Sequence, residues 1–287
     1  MTGPSPQPNP NVERRISELL RIYERAGRAV KAELNDVTVS AFMRDRLKAK
    51  LRQIDAVVAA LNAEAKDAAD GLSMFAYQGG ADLARDSIVA QGKRMPVVAL
   101  DQPIHTRAVQ AFSDTMAEEL IGANISLGNT AHRMLRRTQQ AVVSESTINA
   151  QLAQASLLGQ TRRETSKKLT ETIEKALNGA GKMVVRGREY DPRYYTELVT
   201  RTRTMEASAE GAINTCLDAG VTLVQVSVHQ GACPMCQPFQ GRVYSIGGVD
   251  KDFPRLERRP PYHPHCGHVL MGFVREAFSE EEMSAYR

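Results

Sequence analysis

The sequence contains no tryptophan, and aromatic residues make up only 5% of its 287 positions. Large β-sandwiches and β-barrels depend on aromatic and β-branched side chains, so this shortage argues against an aromatic-rich β fold. Ala, Leu, Arg, Glu and Gln recur instead, and these residues favour helices. We therefore expect a mostly α-helical protein.

Long apolar runs are also missing. No stretch of roughly 18 apolar residues exists, so we expect no membrane span. The N-terminus lacks the basic and apolar regions of a signal peptide, which predicts a soluble product made in the cytosol. The formal net charge is only +4. A dedicated nucleic-acid binder usually carries a denser basic patch, so general DNA binding is not favoured by composition alone.

Cysteine is scarce but concentrated. Three of the four cysteines, Cys233, Cys236 and Cys266, lie close to four of the six histidines. This clustering indicates a metal site in a reducing compartment rather than a framework of disulfides.

The first two thirds of the chain predict a helical scaffold. Residues 1–11 are rich in Pro and Asn and should form a disordered arm. Over residues 12–181, apolar positions recur every three or four residues, which is typical of amphipathic helices. We expect Gly79-Gly80 to weaken one helix, and Gly122 and Gly128 to mark a turn between two others.

Three further features of this scaffold lead to expectations. Residues 95–105 should form a connector or a short strand, in which His105 is structural. His132, which lies among arginines, should be exposed. Short helices are expected at residues 147–158 and 165–177.

The pattern changes near residue 182. Residues 183–190 predict a small strand or a hairpin, and Asp191-Pro192 predicts a helix start, because proline suits the first helical turn. Alternating apolar residues at 221–229 then predict a strand, followed by a second short strand at 242–246. The expected architecture is an elongated helical body followed by a small α+β C-terminal domain, residues 182–287, with a zinc-binding module at 229–270.

The spacing of the cysteines predicts a zinc site. Cys233 and Cys236 are separated by two residues, which is the usual spacing for half of a tetrahedral zinc site. His263 and Cys266 repeat the spacing and are the expected second half. His268 is the alternative to His263, and His265 and His229 are weaker candidates. A buried cysteine cluster without metal is the competing interpretation.

A structural role suits the loop between these pairs. Residues 237–262 hold little material for a core, so a metal that closes the loop should contribute several kcal/mol of folding free energy. Cys216 lies on a predicted helix and should be an ordinary core thiol.

Enzyme chemistries that use similar residues fit less well. A zinc deaminase requires H-x-E and P-C-x-x-C, and neither pattern is present. A thioredoxin-like site requires a βαβ context, which is missing before Cys233. A metal-dependent nuclease using His263, His265 or His268 stays open as the alternative function.

Four blocks together carry a resemblance to a known family. They are LVTRTRTMEASAEG at 198–211, AGVTLVQVSVH at 219–229, CPMCQPFQGRVYSI at 233–246 and HPHCGH at 263–268. Over roughly residues 190–275 the chain resembles the minor head proteins of tailed phages, the Mu F-like head morphogenesis proteins and related minor capsid proteins. Two positions depart from the family pattern. Gly267 stands where an arginine is common, and Arg203 stands where an acid often follows Arg-Thr.

The resemblance implies a structural, non-enzymatic role in the head of a tailed phage or prophage. It implies association with the portal and the capsid interior, and assistance in head assembly, DNA packaging or ejection. Portal and major capsid proteins, packaged DNA and further copies of the chain are the candidate partners, with the virion as location after synthesis in the host cytoplasm. The predicted cofactor is a structural Zn²⁺ held by Cys233, Cys236, His263 and Cys266.

Overall fold

A computed structural model of the chain describes residues 10–35, 43–95, 99–143, 181–284 and 286. Residues 1–9 of the arm predicted at 1–11, and the predicted helices at 147–158 and 165–177, lie outside these residues. The elements, in chain order, are α1 (Pro10–Asn35), α2 (Met43–Ala90), α3 (Pro103–Val143), β1 (Met183–Val185), β2 (Arg188–Tyr190), α4 (Pro192–Asp218), β3 (Leu223–Val226), β4 (Val243–Ser245), β5 (Leu270–Phe273) and α5 (Glu280–Ser284). The predicted mostly helical fold with a small strand-containing C-terminal region is confirmed.

Two helices continue through glycines. α3 continues through Gly122 and Gly128, so the predicted turn there is wrong. α2 also continues through Gly79-Gly80, and the predicted weakening of that helix stays a prediction. The last two residues of the predicted arm, Pro10 and Asn11, instead belong to α1, which begins at Pro10. Proline lacks only an N–H that a first helical turn leaves unpaired, so it is well placed there.

Close packing between two helices explains why position 80 requires glycine. A Cβ atom on Gly80 of α2 would collide with the backbone carbonyl of Ser208 in α4. A Cβ atom on Gly211 of α4 would likewise collide with the backbone carbonyl of Tyr77 in α2. These two helices therefore meet backbone to backbone, which only glycine permits.

The chain divides into two compact units that interleave along the sequence. The cysteine-bearing unit contains Met1–Leu19, Ala65–Glu119 and Glu197–Arg287, and the hairpin unit contains Leu20–Glu64 and Leu120–Thr196. The predicted domain limits at residues 11 and 181 stay a prediction. Within the described residues, no helix combines the length and apolarity that a membrane span requires.

The hairpin unit contains the predicted hairpin at residues 183–190. β1 and β2 pair antiparallel, and Arg186 and Gly187 form the turn with φ angles of 50° and 77°. Two positive φ values in succession give the turn twist that suits a two-residue hairpin. Ser126 of α3 accepts a hydrogen bond from the N–H of Val184 at 2.9 Å and donates one to its carbonyl at 2.7 Å. The hairpin is thereby attached to α3.

The start of α4 is capped as predicted. The carboxylate of Asp191 accepts hydrogen bonds from the backbone N–H groups of Arg193 and Tyr194, at 3.0 and 3.4 Å. These bonds satisfy donors that the first helical turn leaves without a backbone partner.

The cysteine-bearing unit contains an antiparallel sheet in the order β4-β3-β5. β3 and β4 confirm the predicted strands, whereas β5 was not predicted. The end of β3 and the starts of β4 and β5 lie at the same end of the sheet, since Val226 pairs with Leu270 and Gln225 with Val243. Cys233 and Cys236 follow β3, and His263 and Cys266 precede β5, so both pairs are connected to this end of the sheet.

Side chains at the C-terminal end of α2 and just after it cover the free edge of β5. The hydroxyl of Ser87 accepts the N–H of Gly272 at 2.8 Å, and the amide of Gln91 bonds both to the Gly272 carbonyl and to the N–H of Val274. An uncovered strand edge would present unpaired backbone groups, so these contacts both satisfy and protect it.

His105 is structural, as predicted, and is fully buried. Its Nδ1 accepts from the hydroxyl of Tyr77 at 2.8 Å, and its Nε2 lies 2.9 Å from a carboxylate oxygen of Asp218. Asn214 donates to the same Tyr77 hydroxyl at 2.8 Å. This network joins α2, α3 and α4 and leaves none of its buried polar groups unpaired.

Candidate metal centre

Two tight turns present the cysteines. The N–H groups of Cys236 and Gln237 bond to the carbonyl of Cys233 at 2.9 and 3.0 Å. The N–H of Cys266 bonds in the same way to the carbonyl of His263 at 2.9 Å. Each turn brings the first and fourth residue together, which is why the two-residue spacing makes a chelating pair.

The donor atoms of the two turns converge. Sγ of Cys233 lies 3.3 Å from Nε2 of His263, and Sγ of Cys236 lies 3.8 Å from Sγ of Cys266. Sγ of Cys266 is also 3.7 Å from Nδ1 of His268. With Zn–S bonds of about 2.3 Å and Zn–N bonds of about 2.0 Å, a tetrahedron has ligand-to-ligand edges of about 3.5 to 3.8 Å.

The five donors form two overlapping groups of three. Cys233, Cys236 and His263 make one group, and Cys236, Cys266 and His268 make the other, with all donors in a group within 4.8 Å of one another. Cys236 belongs to both groups and is 1% exposed. The geometry and the soft thiolate donors fit Zn²⁺, and both His263 and His268 are in position to supply the nitrogen.

The electrostatics of the cluster suit a cation. Burial, and then the neighbouring thiols of Cys233 and Cys266, raise the pKa of Cys236 to about 12. Burial also acts to raise the pKa of Cys233, but backbone N–H groups at Cys236 and Met235 outweigh it, and this pKa is lowered. Neighbouring thiols resist ionising together unless a positive charge lies between them. A divalent ion would provide that charge.

Gln240 orients His268. Its side-chain oxygen accepts the backbone N–H of His229 at 3.2 Å and lies 3.5 Å from Nε2 of His268. Because this oxygen can only accept, its position favours the tautomer with the proton on Nε2, which leaves Nδ1 with its lone pair toward Cys266. Burial, followed by the charges of His229 and His263, lowers the pKa of His268, which favours the neutral ring. Metal-binding histidines commonly donate the N–H of their other ring nitrogen to a neighbouring acceptor, which fixes the orientation of the ring.

The two weaker candidates lie beside the cluster. The ring of His229 packs against that of His268 with centroids 4.6 Å apart, and its Nε2 bonds to the hydroxyl of Ser227 at 2.8 Å. His265 is exposed. Among the described residues, neither histidine belongs to a group of donors close enough to share an ion.

The loop between the pairs is held from several sides. The rings of Phe239 and Tyr262 stack with centroids 4.1 Å apart, and Arg275 bonds to the carboxylates of Asp250 and Asp252. Cys216, as predicted, is a buried core thiol, and burial raises its pKa to about 12. Gly267 has no atom within 4 Å of a Cβ position, so the arginine common in the resembled family would have room here.

The arginines of the RTRT segment in α4 hold helices together. Arg201 bonds to Glu13 of α1 at 2.8 Å and to Glu197 at 3.0 Å. Arg203 bonds to Glu119 of α3 and to Glu206 at 2.5 and 2.6 Å. Their charges are neutralised by carboxylates, which gives this segment a structural role.

Comparison with protein families identifies the chain. The model of the family described as phage minor capsid protein 2 matches residues 106–284, more than half of the sequence. The chain belongs to this family. No curated protein and no solved structure gave a match.

Family membership confirms the predicted resemblance and locates this minor capsid protein in the virion. The matched stretch begins in α3 and ends in α5, so it extends well beyond the region 190–275 on which the resemblance was based. Sequence reasoning missed Gln240, whose position opposite His268 depends on the fold. Its place two residues before the predicted strand at 242–246 was the only signal available.

Proposed function

We propose that this minor capsid protein is a non-enzymatic component of a tailed-phage head, and that a Zn²⁺ ion closes its C-terminal module. Membership of the minor capsid family carries this proposal. In the assembled head we place it at the portal and the capsid interior, where it assists assembly, DNA packaging or ejection.

The zinc ligands that we propose are Cys233, Cys236 and Cys266 with His263, and with His268 as the alternative nitrogen donor. Four protein ligands fill a tetrahedral site and leave no open position for a substrate or an activated water, which favours a structural ion. Of these ligands, Cys236 and Cys266 are at most 5% exposed, whereas Cys233 and His263 are half-buried, so the ion would be reached from one side only. The ion would join the two turns at one end of the sheet. The intervening loop, contrary to the expectation from its sequence, does contribute to the core, because Val243, Ile246 and Phe253 are buried.

The assembly role can be tested in the phage or prophage that encodes the protein. Cells carrying a deletion of the gene would be complemented with the wild type, with Cys236→Ser or with Cys216→Ala as a matched cysteine control. We expect Cys236→Ser to reduce filled heads and infectious particles, measured by electron microscopy and plaque counts, and Cys216→Ala to restore them. Full restoration by Cys236→Ser would contradict the proposed role of the metal site.

The nuclease alternative is tested with the purified protein. Purified wild-type protein would be incubated with supercoiled plasmid and Zn²⁺ or Mg²⁺. We expect no nicking above the level of a His265→Ala variant. Metal-dependent nicking that is lost in a folded His265→Ala protein would replace the structural assignment with an enzymatic one.

A further inference from the structure

The two units carry opposite charge. Among residues with described side chains, the hairpin unit has 14 Lys and Arg against 5 Asp and Glu, a net charge of +9. The cysteine-bearing unit has 15 against 20, a net charge of −5. The net charge of +4 for the whole chain conceals this separation. A unit with such an excess of one sign attracts polyanions over a distance set by the ionic strength.

A cleft in the hairpin unit concentrates part of this charge. It has a volume of about 580 Å³ and is open to solvent between α3 and the first strand of the hairpin. Its polar lining is supplied by Ser126, Asn129, His132, Arg133 and Arg136. Because Ser126 bonds to both backbone groups of Val184, the strand and the helix that form the walls are fixed to each other.

The arginines of the cleft lack carboxylate partners. Arg133 donates to the hydroxyl of Thr130 at 3.3 Å, and within the described part of the chain no Asp or Glu pairs with Arg133 or Arg136. The carboxylate of Asp55 is engaged with His132, 2.9 Å from its Nε2. The two guanidinium groups therefore keep their charge available to a ligand.

The hairpin adds further positive charge beside the cleft. Val184 lines the cleft, and exposed Arg186 and Arg188 follow it in the turn and the second strand. Exposed Arg137 follows Arg136 on α3. None of these three arginines forms an ion pair with another described residue. The two arginines that line the cleft, Arg133 and Arg136, define what is here called the arginine cleft. The neighbouring exposed Arg137, Arg186 and Arg188 add three positive charges against one exposed acid of the hairpin, Glu189.

We propose that the arginine cleft binds the phosphate backbone of nucleic acid, without reading its sequence. The planar guanidinium fork matches phosphate oxygens, and two unpaired forks about one helical turn apart suit a polymer that carries many phosphates. Phosphate contacts fix position but carry no sequence information. The choice of nucleic acid over an acidic protein rests on the virion location, where the genome is the abundant polyanion, and so depends on the proposed function.

The test measures binding of full-length protein to a fluorescent DNA duplex of about 30 base pairs, by anisotropy over a series of salt concentrations. The variant Arg133→Gln/Arg136→Gln removes two charges from the cleft. The matched control, Arg94→Gln/Arg107→Gln, removes two exposed charges from the cysteine-bearing unit. A third variant, Arg133→Lys/Arg136→Lys, keeps the charge without the planar fork.

We expect the wild type and the control to bind alike, and the double glutamine variant to bind at least about tenfold more weakly at low salt. Its salt slope should fall in magnitude by about 2, since each phosphate contact contributes about 0.9. The lysine variant should recover most of the salt slope. Duplexes of different sequence should behave the same.

Three results would overturn the proposal. They are no binding of DNA by the wild type at low salt, equal loss in the cleft and control variants, and preference for poly-glutamate over DNA at equal charge. The last result would assign the cleft to an acidic protein. Zinc content and thermal stability of each variant show whether the fold is retained. A failure of DNA binding with intact zinc would leave the proposed metal site untouched.

Discussion

Arginine side chains have different surroundings in the two units. In the cysteine-bearing unit, Arg201, Arg203 and Arg275 each contact two carboxylates, and the contacts of Arg201 and Arg203 join separate helices. In the hairpin unit, the arginines of the cleft face solvent without carboxylate partners among the described residues. The same residue type thus stabilises the fold in one unit and remains available for a ligand in the other.

The two units also differ in cysteine content, since all four cysteines of the chain lie in one of them. That unit contains a three-stranded sheet with long loops, which the proposed ion would connect. The hairpin unit is built from long helices and one two-stranded hairpin, and its described residues contain no group of possible metal ligands. We therefore expect metal-dependent stability in one unit and ligand binding in the other.

The largest effect is expected from loss of the shared thiol. Cys236→Ser removes a donor common to both groups of ligands, so we expect loss of the metal and a decrease of several kcal/mol in the free energy of unfolding. Cys216→Ala, also buried, should keep the metal and cost about 1 kcal/mol. Thermal and urea denaturation with metal analysis would measure both. Equal stability losses, with metal retained in both variants, would contradict a stabilising role of the metal.

A smaller effect is expected where helices touch. Gly80→Ala places a methyl group against the carbonyl of Ser208, and overpacking of this kind costs about 1 to 3 kcal/mol. Gly122→Ala is the matched control, because nothing lies within 4 Å of its Cβ position in α3. There alanine should stabilise the helix by about 0.5 to 1 kcal/mol. Urea denaturation of the two variants would show opposite shifts of the midpoint, and shifts of the same sign would contradict the close contact.

The smallest effect separates the two kinds of arginine. Arg203→Gln leaves Glu119 and Glu206 without their partner, and we expect a loss of about 1 kcal/mol, limited by the partial exposure of the site. Arg136→Gln should change stability by less than about 0.5 kcal/mol but weaken DNA binding. If Arg136→Gln proved as destabilising as Arg203→Gln, the cleft would be part of the structural framework instead.

Much of the site could be predicted from the sequence because it depends on local spacing. Two residues between Cys233 and Cys236, and between His263 and Cys266, give tight turns whatever the surroundings. Sequence spacing does not decide between His263 and His268, because the position of the His268 ring depends on Gln240 and on the start of β5. β5 was missed because Gly272 interrupts its apolar pattern, and this glycine is required by the approach of Ile88 and Cys216.

The remaining differences also come from contacts between distant segments. Gly80 resembles a helix breaker in the sequence, but packing against Ser208 outweighs its low helix propensity. The charge separation was hidden because the chain passes between the units several times, so neighbouring stretches of sequence belong to different units. Only the spatial division of the chain reveals a unit with a net charge of +9 among its described side chains.

The central claim is that the Cys/His cluster of this minor capsid protein is a closed zinc site. Its most direct test is metal analysis by mass spectrometry of the purified full-length protein and of the His263→Ala, His268→Ala and His265→Ala variants. We expect one Zn²⁺ per chain in the wild type and in His265→Ala, and loss of the ion in either His263→Ala or His268→Ala, which identifies the fourth ligand. A wild-type protein that binds no zinc, or that keeps it in all three variants, would contradict the claim.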